Sequence, residues 1–175
     1  MTFLLALALL HIIGAIVWAA SAAVLGLILA AARRDDDAAM RALPETAALS
    51  RRVLRPAILV TTLSGLVLAL AGGLLTEAWL ILSTLLAAAA LAADAMVIGP
   101  ECRQAQEMPR GAALVRGRHA LGLAGISLGA QAGAMALTVL APGWSGAAIL
   151  AGLVACLVLA VALEHDAETA GSIHA

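Results

Sequence analysis

Five apolar runs divide the chain, at roughly 3–32, 56–75, 78–99, 119–140 and 147–163, and short polar or turn-forming segments separate them. A helix that crosses a bilayer needs about 20 such residues. The first run is longer and would tilt or project from the membrane, while the last is near the short limit. The breaks have clear chemistry. Arg33-Arg34-Asp35-Asp36-Asp37 ends the first run, and Pro56 suits the first position of the second helix, where its missing N–H costs nothing. Thr76-Glu77 makes a short hairpin, Pro100 closes the third run, and Pro142-Gly143 marks the turn before the fifth. The pattern predicts an all-α polytopic transmembrane helix bundle of about five spans, forming one membrane domain over 1–175.

Composition removes the soluble alternative. The 175 residues are 63% hydrophobic and 12% charged, against about 45–50% and about 25% in soluble domains. A water-soluble core of this length does not hide that much apolar surface, so the bilayer is the partner. All ten basic residues are arginine and fall in two segments: Arg33, Arg34, Arg41, Arg51, Arg52 and Arg55, then Arg103, Arg110, Arg116 and Arg118. Basic loops stay on the cytoplasmic side. Five spans then put the N-terminus outside and the acidic tail, with Glu164, Asp166 and Glu168, inside a bacterial inner membrane. The first run lacks a basic n-region and is too long for a signal-peptide core, so it is expected to be retained. The segment 33–55 is expected as a loop, with a short surface helix, against anionic headgroups. It carries no nucleic-acid signature. Trp79 and Trp144 fall near the outer ends of their spans, as interfacial tryptophans do. Cys102 and Cys156 imply neither a disulfide nor a zinc site.

The chemistry concentrates on the first span. His11 lies about 12 Å from the outer end by helix rise, and Gly14, Ala15, Trp18, Ala22 and Gly26 share its face at i+3, i+4 and i+7 spacings. An ionisable residue at such depth usually faces the bundle interior and works there. Gln131, Cys156 and the Ser83/Thr84 pair fall within about a turn of its level as hydrogen-bond partners, and Met135 within about 6 Å vertically. His11 and Met135 are thus a conceivable haem ligand pair, with Trp18 and Gln131 beside them. His119 lies about 15 Å away in depth, too far to share one iron with His11. His119 and His165 are level with each other at the inner ends of their helices, and His174 is in the tail. Asp94 is placed to pair with Arg55, Arg118 or His119. Gly125, Gly129 and Gly133 make a GxxxGxxxG stripe suited to close helix packing or homo-oligomerisation.

The stretch His11-Ile12-Ile13-Gly14-Ala15-Ile16-Val17-Trp18 resembles the opening helix of a group of small bacterial membrane proteins, of the form H-[IL]-[IL]-x-x-x-x-W. The group comprises the CopD-type copper-resistance domain, the HemJ-type protoporphyrinogen oxidases and an uncharacterised family of predicted integral membrane proteins. The similarity continues through Arg55-Pro56, Ser64-Gly65-Leu66, Trp79-Leu80 and Pro100, and the uncharacterised family matches best in length and rhythm. The HemJ likeness implies haem b on His11. Those enzymes also rely on a lysine, and this chain has none. The CopD likeness implies copper, with His11 as a metal ligand. The expectation carried forward is haem binding or a redox association through His11. The alternatives are a non-catalytic subunit of a larger membrane complex and a copper or small-solute transporter.

Overall fold

The computed structural model describes residues 2–143, 145 and 146; the expected fifth span, Trp144, Cys156, His165, His174 and the acidic tail lie outside them. The described chain is helical apart from short turns: α1 (Thr2–Ala32), α2 (Asp36–Leu49), α3 (Arg55–Gly72), α4 (Ala78–Ala93), α5 (Gly99–Gln106) and α6 (Arg110–Leu140). A π-helical turn at Ser50–Leu54 joins α2 to α3, and another at Asp94–Ile98 joins α4 to α5. The result is four continuous rods, 2–32, 36–72, 78–106 and 110–140, each long and apolar enough to cross a bilayer. The described residues therefore form a multi-pass helical membrane bundle with four such helices.

Two expected boundaries move. The helix expected within 33–55 is present from Asp36, but it runs without a break into the second span instead of ending before it. Pro100, expected to close the third run, instead lies inside the rod that continues to Gln106. The π turns explain how both prolines are tolerated. A proline inside an α-helix removes one N–H and drives its ring against the carbonyl four residues back. Pro56 and Pro100 each sit two residues after a π turn, where the preceding N–H reaches back five residues: Arg55 to the Ser50 carbonyl and Gly99 to that of Asp94. The wider turn makes room for the ring and the rod continues.

The connections are built locally. Asp35 caps α2, its Oδ1 accepting from the Ala38 N–H at 2.6 Å, with Asp36 and Asp37 in the first turn favoured by the helix dipole. Gly73 ends α3 at φ 70°, and the Leu74 N–H returns to the Ala69 carbonyl at 2.9 Å. Glycine suits that left-handed position.

α1 packs along α3, and α4 along α6, while α2 and α5 close the arginine-rich end. The seams there are made of small residues: Ala39, Ala42, Cys102, Ala105, Ala120 and Ala124. Gly117 lets Leu43 approach, since a Cβ at that position would stand 2.8 Å from a Leu43 methyl. Between lipid-exposed helices there is no hydrophobic drive to associate, so close packing holds the bundle. The outward face carries Phe3, Ile16, Leu27, Leu63, Met96 and Val139, all strongly exposed, as a lipid-facing surface does. In the glycine stripe of α6, Gly133 is buried and Gly129 half-buried, whereas a side chain at Gly125 would meet open space.

The charged groups at the basic end are partly paired. Arg118 reaches Asp36 at 2.6 Å, Arg110 meets Asp37, and Arg116 grips Glu101 through Nε at 2.5 Å and Nη2 at 2.8 Å. Of the three partners weighed for Asp94, the structure selects Arg55.

Candidate functional site: a cavity around His11

His11 leans from α1 onto α3. Its Nδ1 lies 2.9 Å from the Thr61 carbonyl oxygen and 3.3 Å from Ser64 Oγ. A carbonyl only accepts, so Nδ1 carries the proton and donates. Ser64 spends its own proton on the Val60 carbonyl at 2.5 Å, which leaves its oxygen to accept from the same Nδ1–H. In the neutral form this contact fixes the tautomer, with the lone pair on Nε2. Gly65 makes this seat possible, because a Cβ there would lie 2.8 Å from His11 Cε1. The His11 and Ser64-Gly65 segments are two halves of one contact.

The partners expected for His11 were different. Gln131 does not reach it, and neither does the Ser83/Thr84 pair; Cys156 lies outside the described residues. Gln131 is wholly buried and accepts from Trp18 Nε1 at 3.0 Å. Its Nε2 donates to Ser127 Oγ at 3.4 Å, and Ser127 donates to the Ala90 carbonyl at 3.4 Å. This chain links α1, α6 and α4. Thr61 and Ser64 were missed as partners, although Thr61, Ser64 and Gly65 form a small polar stripe at helical spacing in an otherwise Leu-rich run.

His11 lines a cavity of about 600 Å³ between the α1–α3 and α4–α6 pairs, near the end of the bundle away from the arginines. α3 and α4, although joined by a tight turn, touch little. Trp18, Trp79 and Met135 line it with aliphatic side chains, and Thr62, Ser83, Thr84 and Thr138 add hydroxyls. A mostly apolar cavity of this size with a few directed polar atoms is the usual form of a small-molecule site. Thr61 Oγ1, buried against Gly14, has no hydrogen-bond partner among the described residues.

Of the expected site residues, the cavity brings together His11, Trp18 and Met135, and Gln131 stands behind Trp18. His119 is far from it: α6 supplies the cavity from Ala134 onward, 15 residues along, about 22 Å by helix rise. Among the described residues no cluster of three or more His, Cys, Asp or Glu side chains forms a metal site.

Four apolar rods with buried polar links and a cavity between them define a multi-pass integral membrane protein. The chain belongs to the family of predicted integral membrane proteins DUF2269, whose model matches residues 5–141. The matched stretch runs from the start of α1 to the end of α6, so it contains the whole cavity framework described above. No curated protein and no solved structure matches the chain.

Proposed function

We propose that the cavity binds a haem b-type cofactor through His11 Nε2, making the protein a redox-associated component of a bacterial inner membrane, with its N-terminus outside and the arginine-rich end in the cytoplasm. The fixed tautomer of His11 carries this reading. A histidine that serves as an axial ligand usually donates its other N–H to a carbonyl or carboxylate, which orients the ring and raises its basicity. The Thr61 carbonyl at 2.9 Å supplies that contact. The surroundings suit a flat apolar ring: Trp18, Trp79 and aliphatic side chains line the space, and Met135 offers a thioether in the same cavity. His11 would hold the iron, Ser64 and Thr61 would hold His11, and the apolar walls would exclude water. Bound there, haem supplies one-electron transfer. The orientation rests on the segregation of all ten arginines.

The test is a visible spectrum of the purified protein. A Soret band present in the wild type and lost in His11→Ala supports the reading. A colourless protein that takes up no added hemin overturns it, and stoichiometric co-purification with a partner then favours the accessory-subunit alternative. Reporter fusions to both termini test the orientation independently.

A further inference from the structure

A second concavity lies on the outside of the bundle, in the α1–α3 seam. Its volume is about 250 Å³, and Leu10, Ile13, Val17, Val53, Pro56 and Val60 wall it together with Gly14 and Ala57. At Gly14 the two helices come so close that a Cβ would stand 2.7 Å from Thr61 Oγ1 and 3.3 Å from a Val60 methyl. Every side chain of the walls is apolar except one, and that one is Arg52.

The position of Arg52 gives the groove a direction. It precedes Thr61, which is level with Gly14, by nine residues, about 13 Å toward the basic end. It thus closes the groove where the apolar faces give way to arginines. Neighbouring Arg55 is committed to Asp94, and Arg110, Arg116 and Arg118 pair with acidic side chains. Arg52 is exposed and has no ion-pair partner among the described residues.

We infer that the α1–α3 groove is a binding site for an anionic phospholipid, one acyl chain lying along the apolar walls and the phosphate held by Arg52. The lipid surface already bathes this face, so the occupant needs no entry path. An arginine at headgroup depth meets a phosphate with paired N–H donors, and its aliphatic stem can lie along the groove wall. The volume accommodates a length of one chain, not a whole lipid, which leaves the second chain in the bilayer. The site is separate from the His11 cavity, and neither proposal depends on the other.

Native mass spectrometry of the full chain in detergent, titrated with phosphatidylglycerol or phosphatidylcholine, tests it. The wild type is expected to retain phosphatidylglycerol preferentially. Arg52→Gln weakens that retention about five-fold, in line with one surface cation, and leaves phosphatidylcholine unaffected; Arg52→Lys restores most of it. Ile13→Trp, which fills the groove from an exposed position, weakens both lipids. Arg34→Gln, elsewhere among the cations, changes little. The inference is overturned if Arg34→Gln and Arg52→Gln act equally, if Ile13→Trp has no effect, or if the wild type does not distinguish the two lipids.

Discussion

The Arg55 guanidinium holds both the side chain and the backbone of Asp94: Nε donates to Oδ2 at 2.5 Å and Nη2 to the carbonyl oxygen at 2.7 Å. That carbonyl is the one to which the Gly99 N–H reaches back five residues, so Arg55 stabilises a π turn as well as a charge. Ser50 donates to the same carboxylate. Ser50 opens one π turn, Asp94 opens the other, and Arg55 directly follows the first. The two places where the long rods loosen to admit proline are therefore fastened to each other.

Breaking this cluster leaves a buried charge unpaired, and such losses run to about 3 kcal/mol or more. Asp94→Ala and Arg55→Met are each expected to destabilise the bundle by about 3 kcal/mol, and Ser50→Ala by about 1 kcal/mol. Replacing both charges, Arg55→Met with Asp94→Leu, should recover much of the loss because neither ion is stranded. Unfolding in mixed micelles followed by circular dichroism measures all four. Additive losses in the double variant contradict the account.

Gly99 tests the same cluster without touching a charge. A Cβ at this position would collide with Arg55 Nη2, so Gly99→Ala must push the guanidinium off Asp94. Alanine normally favours a helix over glycine by about 1 kcal/mol. Gly111→Ala, in open space on α6, should show no loss, whereas Gly99→Ala should destabilise. Combined with Arg55→Met, the Gly99→Ala penalty is expected to shrink, which a double-mutant cycle reads directly.

The Trp18–Gln131 bond ties α1 to α6 in the middle of the bundle. Interhelical hydrogen bonds in membranes average about 0.6 kcal/mol and reach about 1.7. The cycle Trp18→Phe with Gln131→Leu should give a coupling within that range, toward its upper part because Gln131 is wholly buried. A coupling near zero indicates that the pair is packing alone.

Hydropathy made the rods legible, and the small-residue stripe showed which side of α1 turns inward: Gly14, Trp18 and Ala22 are buried as their spacing implied. Pro56 falls in the first turn of α3 as expected, but neither it nor Pro100 interrupts its rod, because the π turn that accommodates each leaves no residue signature. Asp94 had three candidate partners by level, and only packing could choose among them. The partner of His11 was not readable. That partner is a backbone carbonyl, which every residue has, and it is exposed to the imidazole only because Gly65 lacks a side chain. The Trp18–Gln131 bond joins two residues singled out separately, for the face of one helix and the polarity of another.

Gly65 also supplies the sharpest test of the cavity proposal, since it changes the orientation of His11 without removing it. In Gly65→Ala the new methyl would stand 2.8 Å from Cε1 and 3.2 Å from Nδ1, so the imidazole has to leave its seat and give up the Thr61 carbonyl. Loss of the group that orients a ligating histidine typically costs about 10–100-fold in affinity. Hemin titration followed by absorbance should therefore show Gly65→Ala binding about ten-fold or more weakly than wild type, and His11→Ala losing the axial ligation band altogether. Ser64→Ala removes only the 3.3 Å contact and should fall between wild type and Gly65→Ala. The order matters more than the sizes. If Gly65→Ala binds hemin as the wild type does, while its helical content and melting are unchanged, the seat on α3 does not orient a ligand and His11 serves to join α1 to α3.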